Sequence, residues 1–242
     1  MRLPGRIAAA IEVLTDVENR KRPVSEALKA WGLNNRFAGA GDRAAIGNLV
    51  YDALRRRSSY AFADTPRALV LAAVLRDWNE APEALNAMFA EDSHAPAALS
   101  AEEIAGATAG LEAADEATQA DMPEWLLPSL KRAFGENLAA EGQAMAGRPS
   151  LDLRVNALKA TPEKVAKSLS RFSPEPTPYA LMGFTMPAGP RDARTPNVTT
   201  DEGYQKGWFE VQDQGSQMVA ALAGAQPGEQ VLDLCAGAGG KT

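Results

Sequence analysis

Apolar residues recur at helical spacing through the first half of the chain. Ile7, Ala10, Ile11, Leu14 and Val17 form one stripe behind Pro4, a residue suited to a first turn that needs no backbone donor. Pro23 opens a second helix with Val24, Ala27, Leu28 and Trp31, and Gly32 is its expected stop. A third is expected from Asp42 as N-cap, burying Ile46, Leu49, Val50, Ala53 and Leu54 and ending in three arginines. Pro66 and Pro82 open two more, one carrying Leu69, Val70, Ala73 and Val74, the other Leu85, Met88 and Phe89. Ser100 and Glu103 form a capping box ahead of Ile104. The alanine-rich, acidic stretch from Ala95 to Asp121 is weakly apolar and is expected to be peripheral or loosely packed.

Beyond Met122 the period changes. Pro123, Trp125, Leu126, Leu127, Leu130 and Phe134 predict a short helix, and Asn137 to Met145 another. Leu151, Leu153 and Val155 then alternate with Asp152, Arg154 and Asn156, the pattern of a half-buried strand. Thr161, Pro162 and Glu163 read as N-cap, N1 proline and first-turn acid of a helix through Val165 and Leu169. Further short strands are expected at Tyr179–Leu181 and Trp208–Val211, with a loop from Pro187 to Asn197. The expected fold class is an all-α N-terminal domain, residues 1–120, followed by a small α+β domain, residues 121–205. The start of a further domain follows, residues 206–242.

That third segment carries the sharpest chemical signal. Asp213 is placed to cap a helix through Met218, Val219 and Leu222, and Pro227-Gly228 turns the chain. Val231-Leu232-Asp233-Leu234 reads as a short buried strand, and Cys235-Ala236-Gly237-Ala238-Gly239-Gly240-Lys241-Thr242 follows it. Open α/β sheets bind nucleotides where a strand feeds such a loop, because glycine lets the backbone approach a ligand closely. Three nucleotide readings compete. Gly240, Lys241 and Thr242 fit the tail of a phosphate loop, but Cys235 stands where its first glycine belongs. Gly237 and Gly239 fit a dinucleotide fingerprint, but Thr242 takes the third position. Asp233, Gly237 and Gly239 fit the S-adenosylmethionine loop of Rossmann-like methyltransferases without a mismatch. A plain tight turn after a strand is the bland alternative.

Charge changes the picture for the N-terminal third. The 242 residues have a net charge of -6, yet residues 1–67 carry 12 Lys and Arg against 7 Asp and Glu. Residues 68–130 carry 1 against 12. Arg20, Lys21 and Arg22 form one basic cluster and Arg55, Arg56 and Arg57 another, so these six are the candidate RNA contacts. Cations at solvated helix ends are the structural alternative. One cysteine and one histidine exclude an intrachain disulfide and Cys- or His-clustered metal sites. His94 sits in a polar loop and reads as a solvent residue. No apolar run approaches a membrane span, and no signal core opens the chain, so a monomer in the cytoplasm is the expected setting.

Val231 to Ala236 followed by Gly239-Gly240-Lys241-Thr242 resembles the adenosylmethionine motif of the Sun/Fmu (RsmB-type) RNA cytosine-5 methyltransferases. Val211-Gln212-Asp213 with Ser216-Gln217, Leu153-Arg154-Val155-Asn156 and Trp125-Leu126-Leu127 resemble the same family. Asp42-Arg43, Leu49-Val50-Tyr51 and Leu54-Arg55-Arg56 resemble the NusB-like RNA-binding helical bundle of its bacterial members. One departure is Ala236-Gly237-Ala238-Gly239-Gly240, where the family has Ala-Ala-Pro-Gly-Gly; the lost proline loosens the loop and the gained glycine restores the general pattern.

The resemblance implies S-adenosylmethionine as cofactor, held by Asp233, Cys235, Ala236, Gly237, Ala238, Gly239, Gly240 and Lys241. It implies RNA as partner, with small-subunit ribosomal RNA the expected substrate. The family's two catalytic cysteines lie downstream of this motif, and nothing here matches them, so no catalytic residue is assigned to this chain. It is expected to be an inactive N-terminal, RNA-positioning fragment that ends inside the cofactor motif. A non-catalytic NusB-like RNA-binding or antitermination module is the alternative.

Overall fold

A computed structural model describes residues 1–241; Thr242, the end of the expected loop, lies outside the described residues. The chain divides into two compact units: Met1–Arg148 with Gly189–Arg194, and Pro149–Ala188 with the stretch from Thr195 on.

The first unit is built from helices α1 (Leu3–Arg20), α2 (Val24–Asn34), α3 (Ala40–Arg55), α4 (Arg57–Tyr60), α5 (Pro66–Arg76), α6 (Pro82–Glu91), α7 (Ala101–Thr108), α8 (Glu116–Ala120), α9 (Leu127–Phe134) and α10 (Leu138–Met145). Its core is the set of stripes read from the sequence: Ile7, Leu14, Ile46, Leu49, Val50, Val70, Val74 and Leu85 are all almost fully buried. Helix α5 is buried on every side from Ala68 to Leu75, which makes it the centre of the bundle. Each such Leu, Ile or Val contributes about 1.5–3 kcal/mol relative to exposure.

Several sequence expectations need correction here. Gly32 does not stop α2; it is buried inside the helix, which runs on to Asn34. Asp42 is not the N-cap of α3. Gly39 is, and the Asp42 carboxylate reaches back to accept its backbone N–H at 3.2 Å. The alanine-rich acidic stretch is not loosely packed, for Leu99, Ala107, Ala117 and Ala120 are buried. Arginines supply what its side chains lack in bulk: Arg67 bonds Glu103 at 2.6 Å, and Arg76 bonds the carbonyls of Ala107 and Ala109 at the end of α7, both at 2.5 Å.

The helical unit also continues past the boundary expected at residue 120. Asp121 accepts from the Ser59 backbone N–H and hydroxyl at 2.9 and 2.6 Å, and Gln143 on α10 donates to the Gln119 carbonyl at 2.6 Å. Helix α9 buries none of its residues, and Trp125 before it stays exposed. The expected Pro187–Asn197 loop is a loop, but Gly189–Arg194 belongs to the helical unit. Asn48 donates to the carbonyls of Arg191 and Ala193 at 3.0 and 2.9 Å, Arg6 bonds Asp192 at 2.9 Å, and Arg191 pairs with Glu80 at 2.7 Å.

The second unit contains β1 (Leu151–Val155), α11 (Pro162–Ser168), β2 (Glu175–Pro176), β3 (Gly183–Met186), α12 (Glu202–Gln205), β4 (Phe209–Val211) and α13 (Gln214–Leu222). The sheet order is β2-β3-β1-β4, antiparallel throughout, with Leu153 opposite Phe184 on one side and Val211 on the other. Leu153, Val155, Phe184, Met186 and Phe209 meet Val165 and Leu169 from α11 in a separate core. Thr161 caps α11 as expected, accepting from the Lys164 N–H at 3.3 Å.

Two expected strands are absent. Tyr179–Leu181 is a turn: the Ala180 carbonyl accepts from the Gly183 N–H at 2.8 Å and the Thr177 hydroxyl at 2.7 Å, leaving Tyr179 and Leu181 exposed. The strand begins two residues later, where Phe184 and Met186 face the core. Val231–Leu234 is not a buried strand either. Val231, Leu232 and Leu234 are 68%, 85% and 86% exposed, and the segment is not one of the strands of the four-stranded sheet. A strand needs neighbouring N–H and C=O groups and an apolar layer to face.

Candidate functional site

The cofactor-loop candidates lie in the second unit. Gly237 and Gly239 adopt φ of +57° and +82°, the left-handed region that a side chain disfavours, and this is the physical reason for glycine at both. The Gly239 N–H donates to the Ala236 carbonyl at 2.8 Å, closing the turn. Cys235 is exposed, Asp233 is half-buried, and Ala238, Gly240 and Lys241 face outward.

The structure joins this loop to the other sequence element singled out, Val211-Gln212-Asp213. Strand β4 ends at Val211, and the Gln212 N–H donates to the Asp152 carbonyl at 3.0 Å, which continues the β1–β4 pairing by one residue. The Gln212 side chain is 7% exposed. Its Nε2 donates to the Gly240 carbonyl, while its Oε1 is buried with no hydrogen-bond partner among the described residues.

Asp213 caps α13 through the Ser216 N–H at 2.9 Å. The Ser216 hydroxyl and backbone N–H hold its carboxyl below the usual carboxylate range against an opposing desolvation, and the positive charge of Lys241 adds a weaker lowering. Gln217 is also buried; its Nε2 donates to the carbonyls of Leu153 at 3.1 Å and Gln212 at 3.0 Å, which fixes the start of α13 to the sheet. Sequence reading found Gln212, Asp213 and Gln217 by motif and missed Asp152. The Asp152 carboxylate accepts from the Gln214 N–H at 3.0 Å and the Thr185 hydroxyl at 2.6 Å. No spacing rule marks a strand carboxylate that holds a helix start 62 residues away.

The RNA-contact candidates lie in the first unit, and they divide evenly between exposed positions and positions engaged in the fold. Arg20 pairs with Asp16 at 3.0 Å, and Arg22 pairs with the same carboxylate. Both line a cavity of about 400 Å3 with Trp31 and Asn34. Lys21 is exposed and takes φ +52° at the C-cap of α1. Arg55 lies 3.4 Å from Asp52 and over the Tyr51 ring at 5.8 Å. Arg56 bonds Gln143 and pairs with Asp77 at 3.5 Å. Arg57 pairs with Glu18 at 3.1 Å, which brings the second cluster to the end of α1 where the first resides. Arg20, Lys21 and Arg57 face outward; Arg22, Arg55 and Arg56 are largely engaged in the fold.

Among the described residues no helix is long and apolar enough to cross a membrane, and no group of three or more His, Cys, Asp and Glu is arranged to hold a metal.

The fold and the joined motif segments define a helical unit followed by an α+β unit with a glycine loop, and residues 122–185 match the family described as Methyltr_RsmF/B-like, ferredoxin-like domain. The chain is 36% identical over 129 residues to the probable ribosomal RNA small subunit methyltransferase B of Synechocystis sp., an alignment covering 51% of this chain and 27% of that protein. It is 34% identical over 126 residues to ribosomal RNA small subunit methyltransferase B of Proteus mirabilis, covering 50% and 28%. These matches bear out the resemblance to the Sun/Fmu methyltransferases, and the aligned part spans just over a quarter of those relatives' length. The crystal structure of PH0851 superposes with a TM-score of 0.55 at 15% identity, covering 95% of this chain and 57% of that one, a likeness of fold.

Proposed function

We propose that this chain is the RNA-positioning part of an S-adenosylmethionine-dependent methyltransferase acting on carbon 5 of a cytosine in small-subunit ribosomal RNA. In this reading the helical unit is a NusB-like RNA-binding domain, the α+β unit positions RNA, and residues 206–242 begin the methyltransferase domain. The observation that carries it is the meeting of Gln212-Asp213 with Gly240-Lys241, two separately legible motif segments brought into one place.

The residues present fit the methionine side of the cofactor. Buried Gln212 Oε1 is an acceptor in want of a donor, Lys241 offers positive charge to a carboxylate, and the positive-φ glycines leave the loop without side chains that would block a ligand's approach. Bound S-adenosylmethionine supplies an electrophilic methyl group. The chain's own part is to hold the loop through Gln212 and Asp213. Cytosine carbon 5 becomes nucleophilic only when a thiolate adds to carbon 6. Cys235, the one cysteine, belongs to the loop and is not assigned that role. This chain alone is therefore expected to be inactive.

The test is transfer of a radiolabelled methyl group to unmodified small-subunit ribosomal RNA, comparing this chain with a form extended through the downstream cysteines. Activity only in the extended form is expected. Methylation of carbon 5 by residues 1–242 overturns the assignment of roles, and an inactive extended form overturns the function.

A further inference from the structure

The basic residues singled out in the sequence are Lys21 and five arginines of the first unit, and each of the arginines has a carboxylate partner. The second unit gathers a different basic group around one aromatic ring. Gly207 takes φ +68° and turns the chain into Trp208 just ahead of β4. The corner is fixed on three sides. Asn156 donates its side chain to the Gly207 carbonyl at 3.1 Å and its backbone N–H to the Trp208 carbonyl at 2.8 Å, while the Trp208 N–H donates to the Gly203 carbonyl at 2.8 Å.

Three lysines converge there. The Lys159 ammonium lies across Gly207, 2.9 Å from where a Cβ would stand, and the positive φ favours glycine at that corner. Lys164, in the first turn of α11, sits 3.8 Å from the Trp208 ring centroid, and Lys206 sits 5.3 Å from it. All three are exposed, as is Lys167 one turn along α11, and Leu158 beside Lys159 is 95% exposed. Lys159 and Lys164 have no carboxylate within ion-pair distance among the described residues; Lys206 shares an exposed pair with Glu202, a contact that costs little to give up.

We propose that Lys159, Lys164 and Lys206, with Trp208 between them, form a binding site for single-stranded RNA in the α+β unit. The proposal rests on the reading of RNA as substrate and names where it is held. Cation–π contact keeps the Lys164 and Lys206 ammonium groups at the ring without neutralising them, and Lys159 adds its charge across Gly207, so the corner presents concentrated positive charge beside an aromatic surface. Phosphates meet the first and an unstacked base the second, which is how grooves for single strands are composed. An acidic protein segment satisfies the charge but has no use for the indole.

The test is fluorescence anisotropy of a labelled single-stranded 12-mer RNA, with a labelled oligoglutamate peptide in parallel, against the whole chain over a salt series. Three proteins are compared: the natural chain, the triple variant K159Q/K164Q/K206Q, and W208F, which preserves an aromatic core side. The triple variant is expected to bind RNA at least about tenfold more weakly, with the slope of log affinity against log salt reduced by about 2, at roughly 0.7 per lost phosphate contact. W208F is expected to lose affinity with an unchanged slope. RNA binding by the natural chain that the triple variant retains in affinity and slope overturns this site and leaves the functional reading standing. Preference for oligoglutamate, with the loss confined to it, overturns RNA as its ligand. No RNA binding by the natural chain overturns the functional reading and the site together.

Discussion

Arg148 forks onto the buried carboxylate of Asp52. Its Nε donates to Asp52 Oδ1 at 2.7 Å and its Nη2 to Oδ2, and the Trp78 indole N–H donates to the same Oδ2 at 3.0 Å. Asp52 is 4% exposed in the middle of α3, so its charge stands on these donors alone together with Arg55. The third nitrogen contact of Arg148, from Nη1 to the Gly189 carbonyl at 3.1 Å, ties the Gly189–Arg194 segment to the same point.

Removing one partner leaves a buried charge without compensation, the costly way to break such a pair. Arg148→Ala is expected to destabilise the helical unit by about 3 kcal/mol, measured by urea denaturation followed at 222 nm. The double change of Asp52→Leu with Arg148→Met is expected to recover most of that loss, because neither charge then remains buried. A loss under 0.5 kcal/mol on the order of a surface substitution in the single variant is inconsistent with the arrangement.

Gly142 gives a test of opposite sign to the ordinary helix rule. Gly-to-Ala inside a helix usually stabilises by about 0.5–1 kcal/mol. Here α10 passes so close to the end of α8 that a Cβ on Gly142 overlaps the Ala120 carbonyl oxygen, a backbone atom that cannot swing away. Gly142→Ala is therefore expected to destabilise by about 1–3 kcal/mol through forced backbone shifts. A thermal melt with a raised midpoint refutes the close approach.

The bundle core was legible because it follows period: Ile7, Leu14, Ile46, Leu49 and Val74 are where helical spacing puts them. β1 was legible by alternation, and the caps at Ser100, Thr161 and Asp213 by residue type. What period does not encode is long-range pairing. Nothing in Asp152 or Asp52 announces a partner 62 or 96 residues away. Nothing in Val231–Leu234 reveals that it stays outside the four-stranded sheet, since a strand pattern records what a segment suits and not whether a sheet receives it. The lysines at Gly207–Trp208 were passed over for the same reason. They are scattered along the chain at 159, 164 and 206, whereas Arg55, Arg56 and Arg57 are contiguous and form a visible run.

Those three arginines should separate by role. Arg56 is 20% exposed and holds Gln143 and Asp77, so Arg56→Ala is expected to cost about 1.5–3 kcal/mol, the range for hydrogen bonds of charged groups. Arg57 is 48% exposed, and its pair with Glu18 is a surface contact, so Arg57→Ala is expected to change stability by under about 0.5 kcal/mol. The measurement is the urea midpoint of each variant. Equal losses in the two contradict the assignment of Arg56 to the fold and Arg57 to the surface.

The meeting of the glycine loop with the α13 cap has a titration signature. Asp213 is held below the ordinary carboxylate range by Ser216 and, more weakly, by the Lys241 charge. A carboxyl whose folded value is depressed contributes stability that is fully present above its unfolded value and is lost as pH falls through the folded one. Helix α13 should therefore keep its first turn at neutral pH and begin to fray only on acidification below the usual carboxylate range. The check is the carboxyl carbon shift of Asp213 followed by NMR from neutral to acid pH, with amide protection at Ser216 read alongside. Lys241→Gln is expected to move the Asp213 midpoint upward while the cap to Ser216 persists, because it removes charge and leaves the hydrogen bonds. Ser216→Ala is expected to move it further in the same direction, since the Ser216 hydroxyl is the larger influence. A midpoint indifferent to Lys241 separates Lys241 from the cap, and with it removes one of the two contacts on which the cofactor reading stands, leaving only that of Gln212 with Gly240.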